Sequence, residues 1–429
     1  MFEHGYRLGQ NDRSRFIIGL QIGEESMKII SGGVCAAKGF AANGVHCGIR
    51  KNRTKKDLSL IFSEVKASAA AVYTTNLVKG APLVVTKSHL SDGYAQAVIC
   101  NSGNANTCNA NGIEIAEKMS NLIASELNIS SSDIVVASTG VIGQPLDITP
   151  IKNGIPSLVE GLGQNGDAAA EGIMTTDTVP KEVAVSFEID GVECKIGGIA
   201  KGSGMIHPNM ATMLVFITTD CAISPEMLQK ALSSDIADTF NMVSVDGDTS
   251  TNDMVCVLAN GMAGNTEIDN NDEKFETFMK ALNTVTVHLC RMIAGDGEGA
   301  TKLLECSVIG AKDKEIAKVV AKSVICSSLT KAAMFGADAN WGRVLCAIGY
   351  SGADVDVNKI DVSFISNKGE IPVCKNGAGI DFSEEKAKEI LLEKEITISV
   401  NLNDGECSST AWGCDLTYEY VKINGDYRT

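Results

Sequence analysis

Histidines, aromatic side chains and paired cysteines are all scarce in this chain. It has five histidines in 429 residues. No two of them stand at metal-ligand spacing, so we expect no zinc site. Fourteen cysteines are present, but none forms a C-x-x-C pair and most lie inside apolar runs. These features indicate buried free thiols in a reducing compartment rather than disulfides. Aromatic residues make up only 5% of the chain, so small aliphatic side chains must fill most of its core.

Basic residues, long apolar runs and nucleotide motifs are also lacking. The chain has 37 Lys and Arg against 53 Asp and Glu, a formal net charge of -16. Nucleic acid and anionic membranes are therefore not expected as partners, because both require a basic surface. No apolar run approaches the ~18 residues that cross a membrane, and no signal peptide begins the chain. A cytoplasmic enzyme without ATP or NAD is expected, since the phosphate-loop and dinucleotide motifs are missing.

Strand and helix patterns alternate from Gly32 onward, which predicts an α/β fold. The predicted strands are 66–74, 82–87, 95–101, 133–137, 213–217, 242–245, 254–260, 303–309, 360–365, 396–402 and 416–423, with a hairpin at Asp190-Gly191. The predicted helices are 107–127, 150–160, 225–240, 272–293, 316–327 and 383–394. Residues 1–31 are polar and aperiodic, and we interpret them as an extension that is either disordered or not translated, with Met27 as the true start.

The stretch Lys201–Asp220, KGSGMIHPNMATMLVFITTD, contains the strongest candidate for chemistry. A small, polar first half precedes a short apolar run that is typical of a buried strand. Thr212 stands at the junction, where it is either an ordinary first residue of a strand or a nucleophile. Cleavage after Ala211 would place the α-amino group of Thr212 beside its own hydroxyl, pairing a base with a nucleophile without any histidine.

A second acidic motif has a simpler interpretation. Residues 246–250, DGDTS, imitate the start of an EF-hand calcium loop. The glycine at the sixth position and the closing glutamate of that loop are missing. We therefore interpret this segment as an ordinary aspartate-rich turn and expect no metal there.

Several blocks of the chain resemble the ornithine acetyltransferase (glutamate N-acetyltransferase) family in the family's order. They run from residue 32 to residue 429 and include KGSGMIHPNMATML, GGVCAAKGFAANGVHCGIRK, VICNSGNAN, ASTGVIG, MTTDT, GDGEGATK and the terminal INGDYRT. Members of this family cleave themselves between Ala and Thr in such a motif. One departure is His207, where a small residue is more common in the family.

The resemblance implies a role for individual residues. Thr212 corresponds to the nucleophile that cleavage after Ala211 releases, and Thr139 and Gly140 correspond to the oxyanion hole. Two donors aimed at a developing oxyanion are what acyl transfer requires. The implied substrate-binding residues are Thr175, Lys201, Thr212, Glu298, Asn424 and Thr429. A cation and hydroxyl groups suit the α-carboxylate of an amino-acid substrate, and Glu298 suits an ammonium group.

The implied reaction is acetyl transfer from N-acetylornithine to glutamate, a step of arginine biosynthesis, with acetyl-CoA as a possible second donor and no cofactor. The resemblance also implies a layered α/β/β/α sandwich with a smaller C-terminal unit from about residue 311. Its α chain would be 32–211 after the extension and its β chain 212–429, in an α2β2 heterotetramer. Two alternatives stay open: a hydrolase or aminopeptidase that uses the same threonine, and an uncleaved binding protein.

Overall fold

Two β-sheets organise the computed structural model, which describes residues 27–52, 54–207 and 213–426. The strands of these residues are β1 Lys28–Ile30, β2 Phe40–Val45, β3 Leu58–Tyr73, β4 Tyr94–Asn104, β5 Ile134–Val141, β6 Lys181–Ile189, β7 Val192–Lys201, β8 Leu214–Thr219, β9 Val243–Ser244, β10 Met254–Ala259, β11 Leu303–Ala311, β12 Asp361–Ser366, β13 Gly369–Lys375, β14 Ala378–Gly379, β15 Glu395–Asn401 and β16 Cys407–Cys414. The helices are α1 Ala81–His89, α2 Gly112–Leu127, α3 Ile148–Glu160, α4 Gly166–Ile173, α5 Pro225–Ile236, α6 Glu273–Gly295, α7 Lys314–Cys326, α8 Ser328–Phe335, α9 Trp341–Gly349, α10 Glu384–Leu391 and α11 Tyr418–Gly425.

The larger sheet runs in the order β1-β6-β7-β8-β10-β3-β4-β5, and β2 pairs with β3. Strand β8 lies at its centre, antiparallel to β7 and parallel to β10. All six residues of β8 are buried. A strand covered on both faces needs apolar residues in succession, which explains why LVFITT is a run and not an alternation.

The smaller sheet, β14-β13-β12-β15-β11-β16-β9, is built mostly from the C-terminal part of the chain. Helix α6 packs against β6 and β7 of the larger sheet and against β11 and β16 of the smaller one. Its N-cap is Asp272, whose carboxylate accepts hydrogen bonds from two backbone N–H groups of the first turn. The α/β class and the smaller C-terminal unit are thus confirmed, and that unit also includes β11.

The predicted hairpin is present as β6 and β7, which pair over nine residues on each side of the turn. Asp190 and Gly191 have φ angles of 51° and 79°. Two successive positive φ values define the type I′ turn, whose twist matches that of the strands. This hairpin sets the register of Lys201 at the end of β7, opposite Leu214 of β8.

Two predicted strands are wrong, because the residues form helices. Residues 82–87 belong to α1, which begins after Gly80 with Pro82 in its first turn, where proline is favoured. Pro82, Val85 and Thr86, which are spaced i, i+3 and i+4, are buried while Val84 is half-exposed, so one face of a helix packs on the protein. Residues 416–423 fall largely in α11, whose large side chains Tyr418 and Val421 are exposed.

Several boundaries also differ from the predictions. Helix α2 starts at Gly112, not at 107, and buries Ile115 while Ile113 is half-exposed. Strand β5 continues past the predicted end at residue 137 through the STG sequence, because these residues pair with the end of β4. Helices α4, α8 and α9 and strands β1, β2, β13, β14 and β16 were not predicted. Helix α5 ends at Ile236, four residues before the predicted end.

The structure also bears on the predictions about cysteines, membrane-spanning segments and the N-terminal extension. All fourteen cysteines are free, and nine of them are buried. None of the described helices combines the length and apolarity that crossing a membrane requires. Residues 28–30, within the predicted extension, pair with β6, whereas residues 1–26 lie outside the described residues, so the proposed start at Met27 stays a prediction.

Candidate active site

A cavity of about 220 Å³ opens where β5 and β7 end and the loops before β10 and after α6 converge. Thr139, Gly140, Thr175, Lys201, Glu298 and Asn424 all line it. They are six of the residues predicted from the sequence, and they come from positions almost 300 residues apart. Ligand pockets usually enclose roughly 300–1,000 Å³. The smaller volume here suits a compact ligand of amino-acid size.

Thr139 and Gly140 end strand β5 beside the parallel strand β4. Gly140 pairs with Gly103 and has a φ of 131°, which side chains of L-residues rarely allow. A Cβ atom at Gly140 would lie 2.4 Å from the carbonyl carbon of Gly103. Glycine at position 140 therefore allows the two backbones to approach closely.

Asn252 holds the end of β5 in place from the other side of the cavity. Its side-chain amide donates to the carbonyl oxygens of Ala105 and Ser138 at 2.6 and 3.0 Å. Its carbonyl accepts from the hydroxyls of Thr107 and Thr251, both at 2.6 Å. All four hydrogen-bonding positions of this buried amide are used, so the peptide that leads into Thr139 has a fixed orientation.

Lys201 and Thr175 lie on the opposite wall. Lys201 is the last residue of β7 and is 8% exposed, with its side chain at the cavity. Thr175 follows α4, and its backbone N–H donates to the carboxylate of Asp177 at 2.9 Å. The backbone N–H of Gly202, next to Lys201, donates to the other oxygen of Asp177 at 2.7 Å. One buried carboxylate thus fixes both wall residues.

Glu298 and Asn424 form a hydrogen-bonded pair at the mouth. The Asn424 amide, in α11, donates to Glu298 Oε2 at 2.7 Å. The backbone N–H of Glu298 donates to the Ser203 carbonyl at 2.8 Å, which ties the GDGEG loop to the KGS segment. The cavity is thus lined by a negative group, Glu298, as well as by Lys201, and it is suited to a zwitterionic ligand.

The predicted cleavage point, Ala211 and Thr212, lies outside the described residues, as does the predicted binding residue Thr429. The described residues that flank the cleavage segment are firmly held. The carboxylate of Asp246 accepts from the backbone N–H groups of Met205 and Ile206 at 2.6 and 2.8 Å. On the other side, the carbonyl of Met213 accepts from Met254 N at 2.9 Å. The aspartate-rich turn thus anchors the chain before the predicted cut.

His207, the departure from the family pattern, does not line the cavity. Its Nδ1 lies 3.0 Å from the Ser244 hydroxyl and 3.5 Å from the Cys326 thiol. Burial, together with the nearby charge of Lys322, lowers the pKa of His207 to about 4. The imidazole is therefore neutral at physiological pH and belongs to the packing around β9.

Asp253 is a buried carboxyl group directly behind the cavity wall, and sequence reasoning missed it. No group of the described residues forms a hydrogen bond with its Oδ2. Burial raises the pKa of Asp253 well above its usual value, although a hydrogen bond to Ser250 and the charge of Lys201 act against this. The group is thus neutral over a wider pH range than a surface aspartate.

Sequence reasoning also missed the contribution of the segment before β10. Ser250, Thr251 and Asn252 line the cavity, although their sequence carries only a turn signal. Their function depends on partners more than 100 residues away, such as Thr107. A cluster of small hydroxyl and amide residues next to a buried strand is the signal that was available for this site.

Comparison with known proteins agrees with the predicted family. The model of the ArgJ family matches residues 41–429. The arginine biosynthesis bifunctional protein ArgJ of Caldanaerobacter subterraneus subsp. tengcongensis is 51% identical over 405 residues, which are 94% of this chain and 100% of that protein.

Two solved structures are also similar in sequence. The ArgJ crystal structure from Bacillus halodurans is 48% identical and covers 49% of this chain and 97% of its own, with a TM-score of 0.47. Ornithine acetyltransferase from Mycobacterium tuberculosis, solved with ornithine, is 35% identical and covers 43% of this chain and 100% of its own, with a TM-score of 0.41. The predicted family and the predicted enzyme class, an acyltransferase of arginine biosynthesis, are confirmed by the family model and the curated relative. The chain belongs to the ArgJ family.

Proposed function

We propose that this protein transfers the acetyl group of N-acetylornithine to glutamate through an acetyl ester on Thr212. The observation that carries this proposal is the single cavity that gathers Thr139, Gly140, Lys201 and Glu298. A pair of oxyanion donors, a cation and a carboxylate are the groups that an acyl transfer between amino acids requires.

In the first half-reaction, the Thr212 hydroxyl attacks the acetyl carbonyl carbon, and its proton passes to the α-amino group of the same residue. The Thr139 hydroxyl and the Gly140 N–H stabilise the tetrahedral oxyanion. The C–N bond then breaks, the leaving amine takes the proton, and ornithine departs. In the second half-reaction, the amine of glutamate attacks the ester, and N-acetylglutamate leaves while Thr212 regains its proton.

The charged groups of the cavity account for substrate selection in this scheme. Lys201, with the hydroxyl of Thr175, binds the α-carboxylate that N-acetylornithine and glutamate share. Glu298, held by Asn424 at 2.7 Å, faces the side-chain ammonium of N-acetylornithine. Thr429 is proposed to complete the binding site from the C-terminus.

We further propose that the chain matures by cutting itself between Ala211 and Thr212. The Thr212 hydroxyl attacks the Ala211 carbonyl, the peptide becomes an ester, and water hydrolyses the ester. The products are an α chain that ends at residue 211 and a β chain of 212–429, which assemble as an α2β2 heterotetramer in the cytoplasm. No cofactor is required, and acetyl-CoA is a candidate second donor.

Mass spectrometry of the purified protein, before and after incubation with N-acetylornithine, tests this proposal. We expect two fragments that separate at Ala211-Thr212, with an acetyl adduct of about 42 Da on the second fragment. Added glutamate should remove the adduct and yield N-acetylglutamate. An uncut chain, or release of the acetyl group only as acetate, would refute the transfer and favour a binding protein or a hydrolase, respectively.

A further inference from the structure

A buried ionic cluster lies behind the cavity and consists of Asp177, Lys181 and Asp296. Lys181 Nζ is 2.7 Å from Asp177 Oδ1 and 2.5 Å from Asp296 Oδ2, and its side chain is fully buried. None of these three residues lines the cavity. Burying three charges costs free energy, so their arrangement calls for an explanation beyond packing.

The cluster is bonded to the segments that carry the proposed substrate-binding residues. Asp177 accepts from the backbone N–H groups of Thr175 and Gly202, the latter adjacent to Lys201. The Asp296 carbonyl accepts from the Ser203 hydroxyl at 2.6 Å. The Ser203 carbonyl in turn accepts from the N–H of Glu298, at 2.8 Å. The cluster thus lies one or two hydrogen bonds from Thr175, Lys201 and Glu298.

The charges of the cluster do not balance by themselves. Two carboxylates face one ammonium group, and Lys201 is the second cation whose charge acts on Asp177. Burial alone would raise the pKa of Asp177, but the charges of Lys181 and Lys201 outweigh burial and hold that pKa below its usual range. Asp177 therefore attracts two lysines, of which only Lys201 lines the cavity.

We propose that Lys181 is a positioning residue that neutralises Asp177 and thereby leaves the ammonium of Lys201 free to bind the substrate carboxylate. This inference rests on the proposed function, in which Lys201 binds that carboxylate. Without Lys181, Lys201 is the cation whose charge still acts on Asp177. Lys201 then pairs inside the protein, and the cavity loses its positive charge.

Two double variants test the proposal because they remove the same charges and differ only in the carboxylate that remains. Lys181→Met with Asp296→Asn leaves Asp177 to attract Lys201. Lys181→Met with Asp177→Asn leaves Asp296 instead. We expect the KM for N-acetylornithine to be about 10- to 100-fold higher in the first than in the second, the worth of one charge-assisted hydrogen bond. Self-cleavage, which requires no substrate, should proceed in both.

If the cluster only holds the backbone in place, the second variant should have the higher KM, because only that variant alters the acceptor of the Thr175 and Gly202 N–H groups. Equal KM values, or a higher KM in the second variant, would overturn the proposal. Lys331→Met is the control, because Lys331 is a buried lysine bonded to the Cys414 carbonyl and does not line the cavity. It should leave KM unchanged.

Thermal unfolding of each variant shows whether it is folded. If either double variant does not fold, the single variant Asp177→Asn decides the question, because it keeps the pair of Lys181 with Asp296. We expect its KM to stay within about tenfold of the wild-type value, the most that one neutral hydrogen bond contributes, and a larger rise overturns the proposal. The wild-type enzyme is assayed first, so absent transfer refutes the proposed function itself and not this inference.

Discussion

Replacing Gly140 with alanine should disable both self-cleavage and acetyl transfer. A Cβ atom at this position would lie 2.4 Å from the Gly103 carbonyl carbon and 2.6 Å from the Asn104 nitrogen. Neither neighbour is a flexible side chain, so the backbone at residue 140 must move, and we expect its N–H to leave the proposed oxyanion hole. Loss of one oxyanion donor lowers kcat by about 100- to 1,000-fold.

The control for this variant is Gly143→Ala. Gly143 also has a positive φ, 77°, but a Cβ atom there would meet no atom of the described residues within 4 Å. Both variants bear the cost of about 1–2 kcal/mol for an L-residue in a left-handed conformation, and only Gly140→Ala adds the backbone collision. The assays are the fraction of chain cut with time, read by gel or mass spectrometry, and the rate of N-acetylglutamate formation per cut chain. Cleavage and turnover of Gly140→Ala that match those of Gly143→Ala would refute the reasoning.

Three further variants probe the charges and hydrogen bonds of the site. Glu298→Gln can keep its hydrogen bond with Asn424 but loses its charge, so the KM for N-acetylornithine should rise about tenfold. The KM for glutamate should not rise, because glutamate has no side-chain ammonium. Steady-state kinetics with each substrate measure both values, and an equal rise in the two would contradict the prediction. Asn252→Ala removes the amide donor from the buried Ser138 carbonyl, whereas the Ala105 carbonyl still accepts from the Thr107 hydroxyl. Denaturant titration should therefore show a loss of about 1–3 kcal/mol in the free energy of unfolding. The exposed Asn271→Ala is the control, and equal losses would contradict the prediction. Burial raises the folded-state pKa of Asp253, so the native protein keeps a proton that the unfolded chain releases above about pH 4. The free energy of unfolding of the wild type therefore falls as the pH rises from about 4 to the folded-state pKa. Asp253→Asn should therefore gain in Tm relative to the wild type with increasing pH over that range, and a constant difference in Tm would contradict the assignment.

The accuracy of the predicted elements depended on whether their residues distinguish a strand from a helix. The strand at β8 was predictable because a run of apolar residues between threonines suits a strand that is covered on both faces. Residues 82–87 have a similar composition, but Gly80 and Pro82 begin a helix there. Short apolar runs do not distinguish a buried strand from one face of a helix, so flanking residues decide the outcome.

Some residues of the candidate site were predictable from the sequence around them, and others depend on partners that are distant in the chain. Thr139, Gly140 and Lys201 were predictable because they stand in sequence blocks that resemble one family, and the cavity brings them together. Lys181 was not predictable, because nothing in its own neighbourhood distinguishes it from a surface lysine. Its burial depends on Asp296, 115 residues away, which only the folded chain brings within hydrogen-bonding distance. Sequence blocks thus reveal the residues proposed to meet the ligand, whereas the residues that support them require the structure.

The topology of the larger sheet explains how a chain cut between Ala211 and Thr212 keeps one active site. Strand β8 follows the proposed cut and pairs with β7, which precedes it. Strand β10 also follows the cut and pairs with β3, which precedes it. The two fragments therefore alternate within one sheet, and separating them would break two full strand ladders and expose the buried faces of β8 and β10. Burial of these faces replaces the covalent link, so cutting frees the terminus of Thr212 while the cavity residues from both fragments stay together.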